Sequence, residues 1–297
     1  MSALRTRPQT TDRDVLPNLI IIGAAKAGTT SLHSYLGAHP DVLMAAPADS
    51  PTKEMRYFWQ SDWRERRAWY ESHFETDLPV RGEATPAYTA YPFHSGVPER
   101  MHELVPDAKL IYLVRDPIDR VLSHWVQRRE DADRTPFMRY MRDYEQPDNP
   151  IVCPSRYWTQ IEQYLPFYDR SQILIVDQHA LKTRRRETMR EVFRFVGLDE
   201  TFESPLFDEE RNTRSTKHGP RRLALRLWEP VLWPASRAVP RRVRNLIRAP
   251  ANRLLSGPVR ESPVLSPAMR ERLAEHLRPE VDQLREFAQK LFSSWSL

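Results

Sequence analysis

One cysteine, Cys153, among 297 residues excludes an intramolecular disulfide and a four-cysteine zinc cluster. The fold therefore does not depend on an oxidising compartment, and a reducing cytoplasm is the expected setting. The amino end mixes Arg5, Arg7, Asp12 and Arg13 ahead of the first apolar run, Leu19 to Ile22, so neither a secretory signal nor a membrane anchor is expected there. Metal-binding patterns are missing too. There is no His-Glu-x-x-His, EF-hand loop or Cys/His cluster, and His33 and His39 flank one short segment without partners, so no metal is expected. Glycine is scarce, at 8 residues against 26 prolines, which makes each glycine position informative.

What is present describes a folded chain. With 40% hydrophobic and 29% charged residues, it has enough apolar material for one large domain or two small ones. The formal net charge of +5 hides an asymmetry. Residues 211–260 carry 13 Lys or Arg and one acid, Glu229, a local +12 that leaves −7 on the rest. Such a block points to an anionic partner or to a solvated basic face.

Three short runs have the continuous apolar character of buried parallel strands: Leu19–Ile22, Leu110–Val114 and Ile173–Val176. Helical patterns follow each, at 31–36, 118–129 and 186–196, and further helices are expected at 63–74, 157–168 and 267–292, the last interrupted by Pro279. Strand then helix, repeated, predicts an α/β chain: a P-loop-like three-layer fold with a central parallel β-sheet flanked by helices. The stretches 44–53, 131–153 and 201–220 read as irregular and long enough to be functional loops.

The first strand runs into Gly23-Ala-Ala-Lys26-Ala27-Gly28-Thr29-Thr30-Ser31, which opens a helix. That is the setting of a phosphate-binding loop, where backbone N–H groups and the helix dipole converge on an anion. Gly23, Gly28 and Thr30 fit the spacing G-x-x-x-x-G-K-[ST], but Thr29 stands where the lysine belongs and Lys26 lies three residues earlier. A cradle that keeps its amides and relocates its cation suits a nucleotide with a different reactive group on its 5′-phosphate. The simpler alternative is a strand-to-helix turn in which two glycines only permit close packing.

Lys-x-Gly-Thr-Thr-Ser after an apolar strand resembles the 5′-phosphosulfate loop of sulfotransferases that use 3′-phosphoadenosine 5′-phosphosulfate (PAPS). The resemblance implies a second motif, a strand followed by Arg and, eight residues later, Ser on a helix for the 3′-phosphate. Leu110-Ile-Tyr-Leu-Val-Arg115-Asp-Pro-Ile-Asp-Arg-Val-Leu-Ser123 matches it. Arg115 offers a forked, charged contact to phosphate and Ser123 a hydroxyl from the next helix.

The branch resembled is that of bacterial, heparan sulfate sulfotransferase-like members. Lys53-Glu54-Met-Arg-Tyr57-Phe58 resembles the segment whose glutamate is the general base, which implies that role for Glu54; the bland reading is a surface acid. Gly82-Glu83-Ala84-Thr85-Pro86-Ala87-Tyr88 resembles the next segment, with Ala84 in place of a lysine. Glu83 is then a second carboxylate, either a rival base or a partner that orients Lys26 or Lys53. His124 is another rival base, expected to point away because it follows Ser123 on a helix. Lys26 is expected to meet the charge on the leaving phosphate oxygen. Tyr157 resembles a residue that closes over the nucleotide, although a core tyrosine fits as well. Lys217, Gly219 and Arg221 occupy the place of a loop that covers the 3′-phosphate and adenine.

The implied activity is transfer of the sulfuryl group of PAPS to a hydroxyl of a carbohydrate, glycolipid or related acceptor, releasing adenosine 3′,5′-bisphosphate (PAP) without a metal. Two alternatives stand beside it: a P-loop kinase or nucleotide hydrolase, and a non-enzymatic anion or nucleic-acid binder using the basic block. Nucleic acid is not expected, because no recognition module or aromatic platform is evident. The expected organisation is a flexible segment 1–17 and a single domain 18–297 with a basic helical insertion around 223–260. That insertion alternates leucines and tryptophans with arginines. It reads either as an interfacial helix on an anionic membrane at the inner face, or as an Arg-rich helical pair packed on the domain.

Overall fold

The computed structural model describes residues 16–48, 50, 52–131, 133, 135–208, 218–220, 256–258 and 263–297. Most of the expected segments 1–17 and 223–260, together with Lys217 and Arg221, lie outside the described residues.

Five parallel strands form one sheet in the order β2-β3-β1-β4-β5: β1 (Leu19–Gly23), β2 (Val42–Met44), β3 (Val80–Ala84), β4 (Lys109–Val114) and β5 (Ile173–Asp177). All of β1 is buried, as is β4 beyond its first residue, which is why both read as unbroken apolar runs. The chain passes from β1 to the β2-β3 side, then crosses back to β4. The sheet therefore has its switch point at β1, the place where open α/β sheets bind ligands beyond the carboxyl ends of their strands.

Helices flank the sheet, among them α1 (Thr29–Leu36), α2 (Arg67–Glu71), α3 (Val97–Leu104), α4 (Pro117–Glu130) and α5 (Phe137–Arg142). They continue with α6 (Tyr157–Ile161), α7 (Gln178–Thr183), α8 (Arg185–Val196) and α9 (Pro267–Ala288). Local chemistry sets their ends. Asp116 caps α4 by accepting the Asp119 N–H at 2.9 Å, with Pro117 in the first turn; Gly197, at φ 94°, ends α8. Ile118, Val121 and Trp125 of α4 pack with Met141, Leu273 and Leu277 in a satellite core beside the sheet.

Some expectations are revised. The helices expected at 63–74 and 157–168 shorten to α2 and α6, and the stretch 131–153 contains α5. Pro279 does not interrupt α9: Pro279 and Glu275 are both exposed, so water reaches the carbonyl that loses its donor. A two-stranded antiparallel ladder, β6 (His218–Pro220) with β7 (Ser256–Pro258), places Gly219 opposite Gly257 alongside α4. The tail after α9 crosses the strand ends, where Trp295 Nε1 donates to Asp177 Oδ1 at 3.2 Å and the Ser296 N–H to Asp116 Oδ2 at 2.6 Å. Among the described residues no helix is long and apolar enough to cross a membrane.

Candidate active site

The loop between β1 and α1 turns through two left-handed residues, Lys26 at φ 74° and Gly28 at φ 96°. Gly23, at the end of β1, is required by closeness: a Cβ there would lie 1.9 Å from Thr89 Oγ1. The first helical bonds of α1 run from the Ser31 and Leu32 N–H groups to the Gly28 carbonyl, at 3.0 and 3.2 Å. The N–H groups of Gly28, Thr29 and Thr30 precede them, at the positive end of the helix dipole. Thr29 is buried, Thr30 exposed, and Lys26 and Ser31 half-buried; Ala27 is in the core.

Arg115 joins this loop to the second motif. Its guanidinium donates to the Lys26 carbonyl at 3.2 Å and to Asp119 Oδ2 at 3.2 Å, while its buried Nε has no partner among the described residues. Asp119 and the half-buried Ser123 are four residues apart on α4, so Ser123 lies one turn beyond the carboxylate that Arg115 contacts. A planar donor with an unsatisfied N–H, a helix hydroxyl and the loop amides suit the donor needs of a nucleotide carrying two phosphate-type groups.

Tyr157 is fully buried, and its hydroxyl donates to the Arg115 carbonyl at 2.9 Å. This placement favours the core-tyrosine alternative, in which Tyr157 holds the Arg115 turn, over a residue that closes on the nucleotide.

Arg120 is a residue that the motif spacing missed. It is fully buried; Nε donates to Ser155 Oγ at 2.5 Å, and the other nitrogens to the carbonyls of Ile151 and, at 3.4 Å, Ala25 in the phosphate loop. Burial pulls its pKa down to about 10. The signal was available, because Arg120 and His124 share the helical stripe of Pro117, Val121 and Trp125. His124 lies on this stripe, beside Arg120, rather than on the line of Asp119 and Ser123. Its Nδ1 lies 3.3 Å from Arg120, and burial, then the charges of Arg120, Arg128 and Lys26, hold its pKa well below the usual value. It is a weaker base than an ordinary histidine.

On the other side of β1, the segment 53–58 lies over the end of β3. Thr85 Oγ1 accepts the Arg56 N–H at 3.2 Å, and the Tyr88 hydroxyl accepts those of Tyr57 and Phe58 at 3.1 and 3.4 Å. Both hydroxyls donate onward to Glu83, Thr85 at 2.7 Å and Tyr88 at 3.0 Å, and Tyr70 adds a third bond at 2.7 Å. Glu83 is fully buried, and burial raises its pKa against the lowering effect of those hydroxyls and of Lys53. A carboxylate enclosed by three donors is not placed to take a proton from an acceptor, so the rival-base reading of Glu83 is corrected to an anchoring one.

Glu54 keeps access to solvent, its side chain 25% exposed and paired with Arg56 at 3.2 Å. Lys53 donates to the Ala84 carbonyl at 2.9 Å. Burial lowers its pKa to about 8 despite the opposing charges of Glu54 and Glu83.

Residues 16–219 match the sulfotransferase domain family. The chain is 29% identical over 198 residues to the mouse bifunctional heparan sulfate N-deacetylase/N-sulfotransferase 4, and 31% over 205 residues to the human bifunctional heparan sulfate N-deacetylase/N-sulfotransferase 3. These alignments cover 62% and 65% of this chain but only 23% of each relative's length. A sulfotransferase from Alicyclobacillus acidocaldarius shares the fold at a TM-score of 0.64 and 20% identity, over 95% of this chain and 99% of that one. With the matched region spanning the whole sheet and both phosphate motifs, the chain belongs to the sulfotransferase domain family.

Proposed function

We propose that the protein transfers the sulfuryl group of PAPS to a hydroxyl of a carbohydrate, glycolipid or related acceptor. The observation that carries the reading is the junction at Arg115, where one side chain, with a buried unpartnered Nε, reaches the carbonyl of Lys26 and so brings the two phosphate motifs to one place.

The nucleotide, when bound, supplies an activated sulfur whose bond to the phosphate oxygen breaks as the bond to the acceptor oxygen forms. Lys26 and the amides of Gly28, Thr29 and Thr30, with the hydroxyls of Thr29, Thr30 and Ser31, hold the 5′ side and meet the charge left on the phosphate oxygen; the Ala27 and Ser31 N–H groups are spent on the loop itself, on the carbonyls of Ala24 and Gly28. Arg115 and Ser123 hold the 3′-phosphate, with Lys217, Gly219 and Arg221 as its cover. Glu54 takes the acceptor proton and later gives it to water. Glu83 positions Glu54 through Thr85 and Tyr88, which fix the backbone of 56–58.

A second reading of the acceptor is favoured by the relatives, which are named as N-sulfotransferases. In it the same carboxylate receives a proton from an amine. Titration with PAP and PAPS, each against ATP with Mg²⁺, tests the nucleotide; stabilisation by ATP alone would replace this reading with a kinase or hydrolase. Labelled PAPS offered to heparan sulfate before and after removal of its N-sulfates, then mass spectrometry of the product, separates hydroxyl from amine.

A further inference from the structure

The mechanism above gives Lys53 no task. Lys53 is half-buried, immediately before Glu54, and its Nζ reaches the carbonyl of Ala84 at the last residue of β3. β3 pairs directly with β1, Ala84 standing opposite Ile21, and the Thr85 N–H donates to the Ile21 carbonyl at 3.2 Å. The ammonium therefore sits one strand from the start of the phosphate loop, on the side where Glu54 waits for the acceptor. Ala84 occupies the place where the sequence resemblance expects a lysine, so a cation arrives at that backbone position from residue 53 instead.

The charged groups around Lys53 come from three elements. Glu54 is its chain neighbour, Glu83 lies on β3 beneath Tyr70, Tyr88 and Thr85, and His33 projects from α1. Glu83 already accepts three hydroxyl bonds, and Glu54 is bound to Arg56, so neither carboxylate depends on Lys53 for a partner. His33 is bound to the Ala45 carbonyl, and burial followed by the charge of Lys53 holds its pKa near 4, which keeps it neutral. One of the three Lys53 donors is used by Ala84. A purely structural strut at this place has no need of a charge, and burial lowers the lysine pKa to about 8 rather than stabilising the cation.

We propose that Lys53 is the sulfuryl-side cation of the site, held on the Ala84 carbonyl so that its ammonium donates to the oxygens of the group being transferred. This rests on the PAPS reading above. It divides the electrostatic work: Lys26 and the loop amides serve the phosphate that is left behind, and Lys53 serves the sulfuryl group that moves.

PAP and PAPS differ by that one group, so their affinities test the assignment without knowledge of the acceptor. Calorimetric titration of Lys53→Ala and of the volume-matched Lys53→Met is expected to weaken PAPS about 10-fold or more, in the range of a lost charged hydrogen bond, and to leave PAP within about 2-fold. In the unaltered protein, the preference for PAPS over PAP is expected to decline from pH 7 to pH 9.5 as Lys53 discharges near 8. Equal weakening of both nucleotides, no weakening of PAPS, or a preference flat across that range would overturn the proposal. Should the unaltered protein bind neither nucleotide, the PAPS reading falls and this assignment with it. Should PAP bind and only the PAPS difference be missing, that reading stands and Lys53 alone is wrongly placed. Lys53→Met guards against a folding failure in Lys53→Ala, with melting temperature as the check.

Discussion

The two sides of the site are built by different means. On the nucleotide side, the contacts come from consecutive backbone: a loop turned by Lys26 and Gly28, and a strand end leading through Arg115 to a capped helix. On the proposed acceptor side, a segment of irregular chain is pinned through the hydroxyls of Thr85 and Tyr88 to a buried carboxylate that also accepts from Tyr70. The first side is set mainly by local geometry, with Tyr157, Arg120 and the Ser296 N–H as its distant supports. The second is set by a network in which the Thr85 and Tyr88 hydroxyls each accept from the segment and donate to Glu83, so its parts act as a unit.

That division can be broken by substitutions that ought to affect one side only. The largest effect is expected for Glu54→Gln, a fall of about 10²–10⁴-fold in kcat with PAP affinity unchanged. Steady-state turnover and a PAP titration on the same sample decide it; a parallel loss of PAP binding would show that the two sides are not separate. Next is Arg115→Ala, which removes a charged donor worth about 1.5–3 kcal/mol and should weaken PAP roughly 10–100-fold. Here Tm should barely change, since the Asp119 partner is half exposed.

Glu83→Gln keeps one oxygen for Tyr70 and Tyr88 but turns an amide N–H toward Thr85. It should cost about 1 kcal/mol of stability and lower kcat without altering PAP affinity. It also sharpens the pH behaviour. Burial raises the folded pKa of Glu83 above 4.5, so the folded protein keeps this proton where the unfolded chain has released it. The contribution of Glu83 to stability is therefore greatest below pH 4.5 and falls as the pH rises through its folded value. Urea titrations at a series of pH values should show that slope in the unaltered protein and not in Glu83→Gln. The smallest change is expected for Tyr157→Phe, a few-fold weakening of PAP as the Arg115 carbonyl loses its hydroxyl donor, read by the same titration.

The nucleotide side was legible in the sequence because its information lies in short spacings: Gly23 to Ser31 and Arg115 to Ser123 each form within one strand-to-helix turn. The three strands that read as apolar runs are β1, β4 and β5. β3 was invisible. Val-Arg-Gly-Glu-Ala carries two charges and a glycine, yet it sits beside β1 because Arg81 bonds the carbonyls of Leu16 and Leu78 and Glu83 meets its three hydroxyls. β2, at three residues, is too short to leave a pattern. For Tyr157 and Glu83, which the resemblance places in the site with a supporting role as the alternative, burial favours support. The anchoring role of Glu83 depends on residues 13 positions before it and 2 and 5 after it, a relation no hydropathy period expresses.

The contact between Ser296 and Asp116 has a consequence for the order of assembly. The turn that carries Arg115 is synthesised some 180 residues before the backbone donor that completes its cap, so the helix can form early and still lack its last partner. In refolding experiments, helical signal should therefore return ahead of the ability to retain PAP. On the ribosome, the cap of the turn that carries Arg115 gains this donor only after the tail beyond α9 has emerged and settled across the strand ends.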